Sequence, residues 1–237
     1  LLTVSLGFCR KPDTAEATRM VVVLATGDSY VIRGQEKIKA TVGLPVHQED
    51  QVDVGQGRLD IQTRGGNALR IRPGTKGTIR EIAGEAGLKF ELSKGGVLVA
   101  ARKQSAASDV QVITPTAIAG VRGTSFSVSV NEEGKNARIR VLDGAVALAP
   151  RAKTRKEIVL RDSTEGSLPA AVEQAIAANK EVPDVQLGSK PATITPAERA
   201  ERATLVVVSP EKFTEALGHA DAGEMGMAAD LLNRERQ

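Results

Sequence analysis

Thr114-Pro115-Thr116-Ala117-Ile118-Ala119-Gly120-Val121-Arg122-Gly123-Thr124-Ser125-Phe126 is the stretch whose reading decides the fold. Pro115 fixes its own φ, withholds a donor and pushes Thr114 into an extended conformation. Ala117 and Ala119 let neighbouring layers approach closely. Gly120 and Gly123 bracket Val121-Arg122 and supply the backbone freedom a corner needs. A strand follows, with Thr124, Phe126, Val128 and Val130 on one face and Ser125, Ser127 and Ser129 on the other. Asn131 to Asn136 reads as a loop and Arg138 to Leu142 as the return. Asp143-Gly144 then predicts a tight hairpin into Ala145 to Leu148.

Outward from this stretch the same grammar repeats. Leu59-Asp60-Ile61-Gln62-Thr63, Leu69-Arg70-Ile71-Arg72, Leu88-Lys89-Phe90-Glu91-Leu92, Val110-Gln111-Val112 and Ile139-Arg140-Val141 alternate with period two, the mark of half-buried strands. Gly27-Asp28, Gly65-Gly66, Pro73-Gly74 and Gly95-Gly96 read as the turns between them. Short strands at this spacing predict a mainly β fold, a sandwich, barrel or β-solenoid. Beyond Leu160 the character changes. Ser167, Pro169 and Glu173 predict the start of an alanine-rich helix ending near Lys180. Glu181 to Pro196 reads as linker, and Thr195-Pro196-Ala197-Glu198 as a capping box for a short helix. Leu205 to Val208 predicts a strand, Ser209-Pro210-Glu211 opens another helix, and Ala222 to Arg236 forms a last one. The expected organisation is a tether over 1–18, a β domain over 19–165, and a loosely packed, mostly helical appendage over 166–237.

Composition narrows the function. Four Phe, one Tyr and no Trp leave a core of Val, Ile, Leu and Ala, and too few ring faces to stack single-stranded bases. Thirty-two basic residues against 29 acidic ones give a net charge of only +3, so nucleic acid is not an expected partner. The basic run Arg151, Lys153, Arg155 and Lys156 reads as a solvated loop, with contact to anionic lipid or a partner as the alternative. With a single cysteine the chain has no intramolecular disulfide and no cysteine zinc site. His47 and His219 stand apart from one another, which suggests neither a metal site nor a Ser/His/Asp arrangement. Gly120 to Thr124 lacks the lysine and spacing of a phosphate loop. No catalytic residue, metal or cofactor is expected.

Leu1, Leu2, Val4, Leu6 and Phe8 form an apolar run that stops at Cys9 and gives way to Arg10-Lys11-Pro12-Asp13. This is the pattern of the end of a signal peptide whose beginning lies upstream of Leu1. Leu6-Gly7-Phe8-Cys9 resembles a lipobox, with Phe8 in a position that is usually small. The resemblance implies a lipid on Cys9, a membrane held through that anchor, and Arg10 permitting sorting to the outer membrane.

Thr114-Pro115, the following alanines, Gly120-Val121-Arg122-Gly123-Thr124-Ser125-Phe126 and the later Gly144-Ala145-Val146 together resemble the FecR domain. Val21 to Gly27, Val42 to Val46, Gln56 to Thr63 and Ala68 to Thr75 are similar to its earlier strands, so the resemblance covers about residues 19–165. It implies an all-β periplasmic domain of stacked β-helix-like or sandwich layers that carries signals from an outer-membrane receptor to a sigma factor. The short stretch ahead of the domain leaves no cytoplasmic anti-sigma segment, and the expectation is an orphan FecR-domain lipoprotein of the bacterial envelope. Such a module binds an envelope protein or polysaccharide; the alternatives are a receptor-to-sigma-factor intermediate and a polysaccharide hydrolase. The motif residues Thr114, Pro115, Gly120, Val121, Arg122, Gly123, Thr124 and Phe126 are expected to be structural. Arg122 could serve as a partner-binding cation, but its fork of donors suits backbone carbonyls or Asp143 at a glycine-rich corner.

Overall fold

Three long strands bend, and the bends decide the architecture of the computed structural model. It describes residues 20–84, 87–103, 110–121, 123–151, 158–169, 189–205 and 207–234. Cys9, Arg122, Lys153, Arg155, Lys156 and the helix expected from Pro169 to Lys180 lie, apart from Pro169, outside the described residues. The bent strands are β1 (Met20–Arg33), β3 (Gln51–Thr63) and β6 (Gly87–Ala100). The first half of β1 pairs with the second half of β3, and the second half of β1 with the first half of β3. The register slips between Gly27 and Ser29, where the strand turns its corner. The two backbones pinch there. A Cβ on Gly27 would collide with the Gln56 carbonyl, and one on Gly57 with that of Thr26.

Each half belongs to a different leaf. In the first leaf β1 and β3 continue into β4 (Ala68–Ile71), the second half of β6, β9 (Ser125–Val130), β10 (Asn136–Asp143), β13 (Thr164–Pro169) and β14 (Ser189–Pro191), every pair antiparallel. In the second leaf β2 (Glu36–Lys39) borders β1. Then come β3, β5 (Thr75–Ala83), the first half of β6, β7 (Val110–Ile113), β8 (Ala117–Val121), β11 (Ala145–Pro150) and β12 (Ile158–Arg161). Only β6 with β7 is parallel among these pairs. The inward residues of both leaves form one apolar cluster, with Leu59, Ile61, Phe90, Val112, Ala119, Phe126, Val128, Ile139 and Val146 among its buried members. Strands that switch sheets at bulges are how two packed leaves share a corner. The fold is mainly β, as the alternation predicts.

Several local expectations change. Gly27-Asp28 and Gly95-Gly96 are not turns but bends inside β1 and β6, with φ of +57° at Gly27 and +85° at Gly95. Asp143-Gly144 does not close a hairpin: β10 pairs with β9 and β13, β11 with β8 and β12, so the dipeptide carries the chain from one leaf to the other. Ser167 to Pro169 belongs to β13 rather than to a helix start, and Ser189–Pro191 pairs with β13 where a linker was expected. The described part of Leu205 to Val208 forms no strand.

The C-terminal helices form where their caps predict. α1 (Pro196–Ala203) starts from Thr195, whose hydroxyl accepts from Glu198 N while the Glu198 carboxylate accepts from Thr195 N at 2.8 Å. α2 (Pro210–Asp221) is capped by Ser209, and α3 (Met225–Arg234) follows a short turn. Far from hanging loosely, α2 and α3 bury Phe213, Leu217 and Leu232 against Val21 and Val23 on the outer side of β1. The segment around Leu44 hydrogen-bonds the edge of β1 in the same leaf, and α3 packs against its Gly43. An exposed strand edge is thereby covered.

Candidate functional site

The motif that led the sequence reading is a stack of corners. Thr114-Pro115-Thr116-Ala117 is the turn between β7 and β8. Thr114 N donates to Ala117 O at 2.7 Å, and the Thr114 hydroxyl accepts from Ala117 N at 2.9 Å. Pro115 stands at the second position of the turn, where its fixed φ fits. Val121 ends β8 in the core, and Gly123 turns the chain out of the second leaf with a φ of +66°. Thr124 then ties three chain crossings together. Its carbonyl accepts from Ala101 N at 2.9 Å, its hydroxyl donates to Ala145 O at 2.8 Å, and Ala145 N donates to that hydroxyl at 3.3 Å. Phe126 enters the core one step later. Gly120 departs from expectation. It lies within β8, opposite Gln111 and Ala147, and a Cβ there would meet nothing nearer than Gln111 Cγ at 4.0 Å. The corner belongs to Gly123, and Gly120 is ordinary strand.

Arg122, the motif's one charged residue, lies outside the described residues. Asp143, the carboxylate expected beside it, accepts from Arg202 of α1 at 3.1 Å. That contact opens onto the feature sequence reasoning missed, the polar face of the first leaf beneath the C-terminal segment.

Asp60 on β3 and Arg70 on β4 are direct cross-strand partners on that face. They are 0% and 1% exposed. Arg70 donates from Nε and Nη2 to the two Asp60 oxygens at 2.9 and 2.7 Å, the parallel two-bond geometry a guanidinium makes with a carboxylate. Its remaining donors reach the end of α1. Nη1 bonds Glu201 O at 2.7 Å and Thr204 Oγ1 at 2.8 Å, and Nη2 bonds Thr204 O at 2.5 Å. The last carbonyls of a helix lack intrahelical partners and carry partial negative charge, so a cation placed there satisfies both needs.

The same logic extends along the face. Gln62 Nε2 donates to Val208 O at 3.0 Å and Gln62 Oε1 accepts from Val208 N at 2.8 Å, as a strand neighbour would. Arg72 holds Glu201 through two bonds of 2.8 and 2.7 Å. Arg140 pairs with Glu198 at 2.5 Å and donates to Thr193 O at 2.7 Å. Burial pushes the Glu198 carboxyl up, but the hydrogen bonds from Thr195 and the charges of Arg140 and Arg72 outweigh it, holding it below the ordinary carboxylate range. A small apolar patch, Ala68, Leu98, Leu142 and Leu205 with Ile194 beside it, accompanies the contacts around α1, and the cluster of Val208, Phe213 and Leu217 on Val21 and Val23 continues it under α2 and α3.

Other charged clusters serve the second leaf. Asp50 is buried, accepts two bonds from Arg33 at 3.0 and 2.7 Å and one from His47 N at 2.8 Å, and so fixes the chain entering β3. Glu91 lies between Arg80 and Arg151, whose bonds and charges outweigh its burial and lower its pKa. His219 contacts Glu224 at 2.6 Å in the turn between α2 and α3. Among the described residues no group of three or more His, Cys, Asp or Glu could hold a metal ion, and no helix is long and apolar enough to cross a membrane.

No curated protein matches the chain. Two crystal structures of a "putative anti-sigma factor" from Parabacteroides distasonis ATCC 8503 are similar to it, at 16% and 17% identity and a TM-score of 0.45 each. Each match covers 60% of this chain and 59% of the solved one, so the chain spans about three fifths of the length of those structures. The family model described as FecR protein matches residues 50–147. That stretch, over which the chain is similar to the FecR family, begins at the buried Asp50, runs through the bent strands β3 and β6 and the corner at Gly123-Thr124, and ends in β11.

Proposed function

We propose that the chain is a non-enzymatic binding and regulatory module of the bacterial envelope, lipid-anchored through Cys9, in which the FecR domain relays a signal by contact with another protein. The observation that carries this reading is the FecR match over residues 50–147, which spans both leaves and includes strands of the first leaf whose two faces differ in kind. One face is sealed in an apolar core. The other holds α2 and α3 by apolar contact at Val21 and Val23 and holds α1 through ion pairs and hydrogen bonds, the chemistry of an interface that forms and releases. The apolar run ending at Cys9 supports the anchor, and a doubly or triply acylated cysteine would hold the chain stably at a membrane where a single chain would not.

The experiment pairs anchor and signal. Cells expressing the full gene are fed labelled palmitate, and transcripts are compared between a deletion strain and strains complemented with wild type or Cys9→Ser. The expected result is label on wild type, none on Cys9→Ser, and a set of promoters that responds to the deletion and is restored by wild type alone. Label that survives Cys9→Ser overturns the anchor. Transcripts indifferent to the deletion overturn the regulatory role.

A further inference from the structure

Between α1 and β10 the docked C-terminal segment leaves a cleft of about 570 Å³ lined by Leu142, Ile194, Arg199, Arg202 and Ala203. The volume lies within the range of small-molecule sites. Its floor is the outer rim of the small apolar patch around Leu98 and Leu205. Its charge is one-sided. The other arginines around it are matched: Arg70 by Asp60, Arg72 by Glu201, Arg140 by Glu198 and Arg202 by Asp143. Arg199 has no acidic partner among the described residues, and it projects from the exposed side of α1 beside the cleft. One uncompensated guanidinium above an apolar floor is complementary to a single anion on an apolar body.

We propose that this cleft binds a small amphipathic carboxylate, its headgroup on Arg199 with Arg202 alongside and its hydrocarbon against Leu142, Ile194 and Ala203. A carboxylate suits the guanidinium fork, and a chain of medium length suits the volume. The site exists only while α1 lies on β10, because each side of it comes from one of those elements or from the Ile194 segment before α1. A ligand there stabilises the docked arrangement by mass action. The proposal is independent of the anchor and of the signalling role.

The test uses the full chain, isotopically labelled for amide NMR and titrated with octanoate, 1-octanol and octylammonium. Octanoate should give saturable shifts at Leu142, Ile194 and Ala203 and slow the hydrogen exchange of α1. Octanol should bind at least about tenfold more weakly, since it lacks the charge-assisted bond. Octylammonium should not saturate. Arg199→Gln should weaken octanoate by about tenfold with an unchanged unfolding midpoint, because the side chain holds nothing else, and Arg199→Lys should recover part of the loss. Ala203→Phe, an exposed position, should fill the cleft and abolish the shifts. Equal affinity for octanol, full affinity in Arg199→Gln, or shifts that cluster elsewhere or never saturate would each overturn the proposal.

Discussion

The two faces of the first leaf come from the same strands and are built in opposite ways. On the inner face Leu59, Ile61, Leu69, Ile71, Phe126 and Val128 meet the second leaf with no polar side chain among them. On the outer face Gln62 and Arg70, one residue along, are equally buried but hold the stretch from α1 to Val208 by hydrogen bonds, with Asp60 fixing Arg70, while Val21 and Val23 meet α2 and α3 by apolar contact. Hydrophobic contact is non-directional and indifferent to pH and ionic strength over ordinary ranges, so the inner face specifies that two leaves pack. Directional bonds specify which backbone atoms are met, and they depend on charge state. The inner face makes the domain; the outer face chooses what lies on it. Salt and acid should therefore loosen α1, whose pairs Arg72–Glu201 and Arg140–Glu198 are partly exposed, before the apolar contacts of α2 and α3 or of the two leaves give way.

The sharpest way to break the comparison is Arg70→Ala. The substitution leaves Asp60 as a buried carboxylate without its two donors and removes the cation from the end of α1. Removing one partner of a buried pair costs about 3–5 kcal/mol. Chemical denaturation should show that loss, and limited proteolysis should cut the C-terminal segment earlier than in wild type. If stability falls while the segment stays protected, the clamp belongs to the sheet alone and the contrast between the faces is drawn in the wrong place.

A second test strikes the corner that joins the leaves. Gly123→Ala places a side chain at a φ of +66° and drives its Cβ into the Lys103 side chain, with Lys103 Cα at 3.0 Å. Left-handed backbone plus local overpacking amounts to about 1–3 kcal/mol. The expected readout is a lower unfolding midpoint without selective release of the C-terminal segment, the reverse of the Arg70→Ala pattern.

These two sites also mark where the sequence was legible. Inner-face residues announce themselves, because period two in Leu59-Asp60-Ile61 or Phe126-Ser127-Val128 states which side is buried. Bends do not. A glycine at positive φ looks the same in local sequence whether the chain reverses, as at Pro73-Gly74, or only changes leaf, as at Gly27 and Gly95. Asp143-Gly144 carries a hairpin signal, yet β10 already has β9 and β13 as neighbours, and partner choice is a non-local decision. The outer face was illegible for a related reason. Asp60 and Arg70 alternate with apolar residues as solvent-facing side chains do, and nothing nearby says that a helix carrying Glu201, 131 residues beyond Arg70, will cover them. One signal was available: opposite charges at directly opposed positions of adjacent strands.

Acid tests the comparison at smaller amplitude. The Glu198 carboxyl is held below its ordinary range in the folded chain by Thr195, Arg140 and Arg72, in spite of its burial. A depressed folded pKa adds stability that is fully present above the unfolded value, about 4.3 for Glu, and is lost as pH falls through the lower folded value. Hydrogen exchange of α1 should accelerate below about pH 4.3 before the β strands respond, and Glu198→Gln should flatten that dependence, at a cost of about 1 kcal/mol from the weakened cap. Acceleration of both regions at one pH would mean that the two faces unfold as a single unit.

The smallest effect separates the two glycines of the motif. Gly120 and Gly123 look equivalent in sequence, three residues apart around Val121-Arg122. In the structure Gly120 has ordinary strand φ, pairs with Gln111 and Ala147, and leaves room for a methyl group, whereas Gly123 has neither freedom. Gly within a strand costs about 0.5–1 kcal/mol relative to Ala, chiefly through the entropy of the unfolded chain. Gly120→Ala should therefore hold or slightly raise the unfolding midpoint. If it destabilises as much as Gly123→Ala, the close approach between β7, β8 and β11 is tighter than 4.0 Å from Gln111 implies, and Gly120 belongs to the corner after all.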